Sequence, residues 1–198
     1  MASLSYFWMV AAYTQMNLVP YGIELMHLTP EKSNLVGYLY IVTAVGIGAG
    51  AMIAGLISGR NIEYGIVPTG ALGLSICLAC LNFTANFFVW ALVIILFLGI
   101  SAGLFIVPLN AFIQWKTPDD KRGAVLAATN FLNFTGILCA TLMIKVFKEG
   151  FGFSSGQAFM LLGAMTLILA IWTMIVLSDF FVRFVMLINK LARRKQTG

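Results

Sequence analysis

The sequence predicts an all-α membrane protein, and its composition and residue pattern carry that prediction. Hydrophobic residues make up 61% of the 198 residues and charged residues only 10%, whereas soluble domains carry about 25% charged residues. The apolar residues fall in long runs, and the mean hydropathy is +0.96. Backbone groups in lipid must be paired within their own segment, so long apolar runs of this kind form helices.

Six apolar runs are each close to or above the roughly 20 residues that a helix needs to cross the hydrocarbon core. Their approximate limits are Leu4–Leu25, Asn34–Ser58, Tyr64–Phe83, Phe87–Trp115, Gly123–Phe147 and Gln157–Leu177. We therefore predict a six-helix transmembrane domain over residues 1–178. Residues 179–198 read as a basic, amphipathic tail that lies on the anionic membrane surface.

The ends of these helices carry capping signals. Thr29 before Pro30 fits an N-cap. Thr117 fits the same role, and Asp120 would complete its capping box. The stretch from Ser154 to Gln157 is a further candidate box.

Helix packing is signalled by a glycine-rich second span. Gly46 and Gly50 form a small-xxx-small pattern, which allows close approach of a neighbouring helix. The same pattern also suits a helix that slides or rocks against its neighbour, and the two interpretations are compatible.

Orientation follows from the basic residues. When the connections are assigned alternately to two sides, nine of the twelve Lys and Arg residues fall on the side of the two termini and three on the other. The positive-inside rule then places both termini in the cytoplasm. This asymmetry explains the pI near 9.3, so we expect membrane lipids, and no nucleic acid, as partners of the basic residues.

The polar chemistry expected of an enzyme is missing from the spans. Cys77, Cys80 and Cys139 lie in apolar runs, and the Cys-x-x-Cys pair has no second pair or nearby His, so we interpret all three as core residues. Glu24 and His27 read as a surface pair. The sequence has no Ser/His pair, paired intramembrane Asp or metal-ligand cluster. We expect no enzyme activity, cofactor or metal.

Amides inside the apolar runs are the candidate substrate path, because an unpaired amide is costly in hydrocarbon and faces protein or water instead. Asn110 and Gln114 are four residues apart and share a helix face, and Asn130 and Asn133 are three apart. Gln15 is a further candidate in the first span. The alternative for each is a hydrogen bond that joins two helices.

Two loops carry glycine and charge motifs. Gly55 to Arg60 lies between spans two and three, and Asp120-Lys121-Arg122-Gly123 lies between spans four and five. The first loop resembles the glycine/arginine motif of the major facilitator superfamily, and the second resembles its acidic-x-Arg-Gly loop. The resemblance implies one half of a twelve-helix fold, with Gly55, Arg60, Asp120, Arg122 and Gly123 forming a cytoplasmic gate.

A longer block narrows the resemblance. The stretch PLNAFIQWKTPDDKRGAVLAATNFLNF, from Pro108 to Phe134, and the opening LSYFWMVAAYTQMNLVPYG are similar to the second half of bacterial lysophospholipid transporters. Some members of that family are fused to acyltransferase and acyl-carrier-protein synthetase domains. The resemblance implies transport of lysophospholipid across the bacterial inner membrane by alternating access, for reacylation in the cytoplasm.

The family has about twice this many spans, so a second six-helix half or a second copy of this chain is the expected partner. Two alternatives stay open. One is a non-transporting membrane subunit that holds a cytoplasmic acyltransferase or acyl-carrier-protein synthetase. The other is an inactive fragment of a twelve-helix transporter. The headgroup preference, the coupling ion and the oligomeric state do not follow from the sequence.

Overall fold

The structure, a computed structural model, describes residues 2–26, 34–58, 65–84 and 87–176. Six α-helices account for most of them. They are α1 (Ala2–Met26), α2 (Asn34–Ser58), α3 (Ile66–Leu81), α4 (Phe88–Lys116), α5 (Arg122–Lys145) and α6 (Ser155–Val176). A 3₁₀ turn, Asp119–Lys121, precedes α5, and a π-helical turn, Val146–Gly150, continues it. Over these described ranges, the prediction of an all-helical fold with six helices is confirmed.

Within the part of the chain that the structure describes, four segments are long and apolar enough to cross a membrane: Leu35–Ser58, Phe88–Lys116, Asp119–Gly150 and Ser155–Trp172. They correspond to α2, α4, α5 with its flanking turns, and α6. The apolar helix α3 has 16 residues, fewer than the roughly 20 of a full crossing. The count of six membrane crossings therefore stays a prediction for α1 and α3.

Contacts between helices fix their relative directions. Ser5 Oγ donates to the Leu132 carbonyl at 2.5 Å, and Thr141 Oγ1 approaches the Met16 sulfur at 3.9 Å. The later residue of α1 contacts the later residue of α5, so the two helices run parallel. Glycines facing each other, Gly46 with Gly99 and then Gly50 with Gly103, show that α2 and α4 are also parallel.

Other contacts show which helix pairs are antiparallel. Ser75 of α3 donates to the Gly163 carbonyl at 2.8 Å, and the later residue Asn82 approaches the earlier residue Met160, so α3 and α6 are antiparallel. Gly70 packs on Phe105, and Gly73, further along α3, packs on Ser101, so α3 and α4 are antiparallel.

The link from α1 to α6 completes this set of directions. Tyr6 bonds to Thr166 at 2.9 Å, and Asn17 bonds to the Ser155 carbonyl at 3.0 Å, so these helices are antiparallel too. The odd-numbered helices therefore run one way and the even-numbered helices the other. We call the end of the bundle that holds the start of α1 and the ends of α4 and α6 the terminal end, and the opposite end the distal end.

The helix pairing has an internal symmetry. The main packing pairs are α2 with α4, α3 with α4, α3 with α6, and α1 with α5. Exchanging α1–α3 with α4–α6 converts the α1–α5 pair into the α4–α2 pair and leaves the α3–α6 pair unchanged, whereas the extensive α3–α4 contact maps onto a much smaller α1–α6 contact. The pairing therefore partly resembles that of two three-helix repeats, the arrangement found within each half of major-facilitator transporters.

The tightest of these contacts is between α2 and α4, and it is made by glycines on both helices. A Cβ added at Gly46 would lie 2.5 Å from the Leu96 carbonyl oxygen, and one at Gly99 would lie 2.6 Å from the Thr43 oxygen. Added Cβ atoms at Gly50 and Gly103 would likewise collide with the facing backbone. The predicted close approach at Gly46 and Gly50 is confirmed, and Gly99 and Gly103 supply the other half of the contact.

Two of the three predicted capping sites can be compared with the structure. The box at Ser154 and Gln157 is confirmed, with the Ser154 N–H donating to Gln157 Oε1 at 3.0 Å and the Gln157 N–H donating to Ser154 Oγ at 3.3 Å. The N-cap at Thr117 is wrong: its hydroxyl donates to the Ile113 carbonyl at 2.6 Å and so pairs the last turn of α4, while the 3₁₀ turn intervenes before α5. Thr29 and Pro30 lie outside the described residues.

The glycine contact predicts a position-specific effect of alanine. Gly50→Ala places a methyl group against the Ile100 carbonyl, so we expect a loss of about 1–3 kcal/mol of stability, typical of overpacking. Gly48, on the same helix, has open space around it, and Gly48→Ala is the matched control. Thermal unfolding in detergent should show a lower midpoint for Gly50→Ala only; equal midpoints would contradict the contact.

Candidate functional site

A cavity of about 320 Å³ lies at the terminal end, where α4 turns into α5. Its walls combine an amide, a guanidinium, a hydroxyl and an indole with aliphatic side chains. The residues that line it are Ile113, Gln114, Trp115, Thr117, Arg122, Val125 and Leu126. Two side chains that the sequence placed in different roles, Gln114 in the path and Arg122 in the gate, therefore share one cavity.

Arg122 is held in place by the turn that precedes it. One guanidinium nitrogen, Nη2, lies 3.0 Å from Asp119 Oδ1, and both side chains are more than half exposed. An exposed pair of this kind adds little stability, but it orients the guanidinium. Since a guanidinium carries five N–H donors, the single contact with Asp119 is compatible with simultaneous binding of a second anion in the cavity.

The other amide on this face of α4 lies one turn deeper. Asn110 is half-buried and does not belong to the cavity lining. The shared helix face predicted from the spacing of Asn110 and Gln114 therefore extends from the cavity into the bundle, with only the outer amide at the cavity itself.

The amides of α5 have two different environments. Asn130 is exposed on the bundle surface. Asn133 is half-buried, and with its amide oriented to suit its neighbours it accepts from Trp8 Nε1 at 3.2 Å and donates to the Thr129 carbonyl at 3.2 Å. This bond joins α5 to α1, which is the packing role that the sequence left open for Asn133.

Gln15 is exposed on α1, and its backbone carbonyl accepts a bond of 2.9 Å from the Tyr40 hydroxyl of α2. Met16 is level with Thr141 of α5, which is eleven residues beyond Asn130. At about 1.5 Å per residue, Gln15 and Asn130 lie roughly 16 Å apart along the bundle axis. The structure does not bring these two path candidates together.

The remaining gate candidates are exposed at the terminal end. Gly55 lies in the last turn of α2, Asp120 in the 3₁₀ turn, and Gly123 in the first turn of α5. Gly123 has open space where a side chain would be. Arg60 lies outside the described residues.

The distal end holds a polar cluster that sequence reasoning missed. We call Asn17, Tyr21, Glu24, Lys148 and Ser155 the distal clasp. Glu24 Oε1 lies 2.8 Å from Lys148 Nζ, and Glu24 Oε2 accepts from the Ser155 N–H at 2.7 Å. The carboxylate of α1 thereby pairs the first N–H of α6, where the helix dipole favours negative charge.

Asn17 and Tyr21, the other two α1 residues of the distal clasp, also form hydrogen bonds to neighbouring segments. The fully buried Asn17 donates to the Ser155 carbonyl at 3.0 Å, and the Tyr21 hydroxyl bonds to Thr84 and, at 3.1 Å, to the Leu81 carbonyl. Glu24 was interpreted as a partner of His27, which lies outside the described residues. The signal that could have found the clasp is that Asn17, Tyr21 and Glu24 recur at helical spacing on one face.

Metal-ligating groups do not cluster in the described part of the chain: no set of three His, Cys, Asp or Glu there could hold an ion. Cys77 and Cys80 are half-buried, whereas Cys139 is exposed on α5, so the interpretation of Cys139 as a core residue is wrong.

The distal clasp predicts unequal effects for two glutamates. Glu24→Ala removes the ion pair and a partner of the α6 N-terminus, so we expect a loss of about 1–2 kcal/mol and a melting midpoint several degrees lower. Glu149→Ala is the control, because its pair with Lys145 spans 3.9 Å between exposed side chains and should contribute almost nothing. A Glu24→Ala protein as stable as Glu149→Ala would show that the clasp does not hold α1 to α6.

Comparison with known proteins bears on the whole bundle. The family model described as Major Facilitator Superfamily matches residues 1–141. No curated protein and no solved structure matches the chain. The match covers α1 to α4 and most of α5, and the paired three-helix repeats agree with it. The chain therefore belongs to the Major Facilitator Superfamily, a family of multi-pass membrane transporters.

Proposed function

We propose that this chain is one half of a transporter that moves lysophospholipid across the bacterial inner membrane by alternating access. The observation that carries the proposal is the cavity at the α4–α5 turn, where Gln114 and Arg122 meet. This cavity lies within the stretch of sequence that resembles the lysophospholipid transporters most closely.

The chemistry of the cavity fits the two ends of such a substrate. A guanidinium binds phosphate oxygens through charge-assisted hydrogen bonds, and Arg122 has that group oriented by Asp119. The Gln114 amide supplies both a donor and an acceptor for glycerol oxygens. Ile113, Val125 and Leu126 add apolar wall, against which the first part of an acyl chain packs.

The exposed amides favour the presence of a partner protein that covers this surface of the bundle. Gln15 and Asn130 are exposed on α1 and α5, and amides at hydrocarbon depth need protein or water beside them. A second six-helix unit, either a separate half or a second copy of this chain, would supply both. In the proposed transporter the two units rock against each other and open the path to one side at a time.

The proposed orientation places the terminal end in the cytoplasm, as the distribution of basic residues indicates. The Asp119–Lys121 turn and Arg122 then form part of a cytoplasmic gate. Delivery there suits reacylation by a cytoplasmic acyltransferase or acyl-carrier-protein synthetase, the enzymes to which some proteins of the resembled family are fused.

Uptake of labelled lysophosphatidylethanolamine by membrane vesicles that contain the chain tests the proposal. Arg122→Gln should lower uptake about tenfold or more, because it removes a charged hydrogen bond, and Gln114→Leu should lower it about fivefold. Asn110→Leu tests the deeper amide of the same face. Membrane abundance should be unchanged, because Gln114 and Arg122 are exposed.

Asn82→Leu is the matched control, because Asn82 lies at the distal end and its side chain makes a weak 3.9 Å contact with the Met160 sulfur. It should leave uptake at the unsubstituted level. Uptake that is insensitive to both Arg122→Gln and Gln114→Leu would exclude this cavity from the substrate path.

A further inference from the structure

A second cavity, larger and more apolar, lies inside the bundle at the terminal end. It has a volume of about 480 Å³ and is walled by α1, α3, α4 and α6, within the range of about 300–1,000 Å³ that is usual for small-molecule sites. We call it the inner cavity. Phe7 and Phe105 stack at 5.5 Å between ring centroids and form part of its wall.

The depth of the inner cavity can be read from α4. Its lining runs from Phe105 to Lys116, which is about 16 Å at 1.5 Å per residue. A saturated chain advances about 1.3 Å per carbon, given a C–C bond of about 1.5 Å. The cavity is therefore long enough for about twelve carbons of one extended acyl chain, so a longer chain such as stearate would bend within it.

The interior of the inner cavity has little polar chemistry to offer a ligand. Two of its three hydroxyls are already engaged deep in the wall: Thr166 donates to the Leu162 carbonyl at 2.7 Å, and Tyr6 bonds to Thr166 at 2.9 Å. The third, on Ser3, lies in the first turn of α1 at the terminal end. The remaining lining is mainly aliphatic and aromatic, for example Val10, Ala71 and Leu74. A hydrocarbon chain suits these walls better than a polar solute does.

The mouth of the inner cavity carries a positive charge. Lys116 is the last residue of α4 and, among the described residues of the lining, the one that carries a charge. Its ammonium lies 5.5 Å from the centre of the Phe112 ring. In the proposed orientation this places the ammonium at the cytoplasmic membrane interface, above an apolar slot. The combination is complementary to an amphiphile with one chain and one negative charge.

From the apolar depth and the Lys116 ammonium at the mouth, we propose that the inner cavity binds a long-chain fatty acid, with its carboxylate at Lys116. An ammonium, a compact point charge, matches a singly charged carboxylate, whereas recognition of phosphate usually engages the forked donors of arginine. The site is separate from the proposed transport path: Gln114 and Arg122 line the other cavity, and only Ile113 lines both.

Tryptophan fluorescence gives a direct binding measurement, because Trp172 lines the inner cavity. Replacing Trp8, Trp90 and Trp115 with Phe leaves Trp172 as the reporter among the four tryptophans. The chain is placed in phosphatidylcholine nanodiscs at alkaline pH and titrated with stearate brominated along its chain. We expect saturable quenching by the brominated stearate, and weaker binding of the brominated alcohol of the same length.

Two variants test separately how the carboxylate and the hydrocarbon chain of the fatty acid are bound. Lys116→Gln should weaken stearate binding two- to fivefold, the effect of losing an exposed ion pair of up to about 1 kcal/mol, and should leave the alcohol unchanged. Ala71→Leu narrows the inner cavity and should remove the saturable quenching by both. Lys145→Gln, at the distal end, and Ala127→Leu, on the exposed surface of α5, are the matched controls.

Three results would overturn the proposal. If stearate and the alcohol of the same length bound equally well, Lys116 would have no role in recognising the carboxylate. Quenching that never saturates would show that Trp172 senses only bulk lipid. Tighter binding of stearyl phosphate than of stearate would exclude a preference for a singly charged head. Because Gln114→Leu should change uptake but not stearate binding, failure of this proposal is distinguishable from failure of the transport proposal.

Discussion

The structure depends above all on the contact between α2 and α4, where two pairs of glycines bring the helix backbones together. In lipid, apolar side chains gain little from packing against each other, so helices are held by close van der Waals contact and interhelical hydrogen bonds. Gly46 and Gly50 of α2 and Gly99 and Gly103 of α4 leave no room for a Cβ on either side. The contact therefore fixes distance, direction and register together.

The other helix contacts use the same device with a hydroxyl added. Gly136 packs on Ser5, whose hydroxyl donates to Leu132, and Gly163 packs on α3 beside Ser75, whose hydroxyl donates to Gly163 itself. These registers place the odd helices in one direction and the even helices in the other. As a consequence, Gln114, Lys116 and Arg122 all meet at the terminal end, and both cavities open there.

The two ends of the bundle differ in how they are built. The distal end is closed by hydrogen bonds and an ion pair that join α1 to α6 and to the end of α3. The terminal end carries the two cavities and exposed charges. The proposed half-transporter would need its helices held together while a binding region stays accessible, and this division of the bundle suits both needs.

Much of the fold could be predicted from the sequence, because apolar length, glycine spacing and capping residues act locally. The limits of α2 and the close approach at Gly46 and Gly50 are examples. The site could be predicted only in part. Periodicity placed Gln114 and Asn110 on one face, but which amide reaches a cavity depends on how α5 packs, and Asn133 bonds to Trp8 of α1 instead. The distal clasp joins residues more than 120 positions apart, a pairing that local patterns do not reveal.

The alternating direction of the helices is the claim on which the arrangement of the site rests, and cysteine labelling in intact bacterial cells tests it most directly. After the native cysteines are replaced, Asp120→Cys reports on the terminal end and Phe151→Cys, an exposed position, on the distal end. A maleimide that cannot cross the inner membrane should label Phe151→Cys in intact cells and Asp120→Cys only after lysis. The reverse result would invert the proposed orientation, and labelling of both from the same side would contradict the alternation itself.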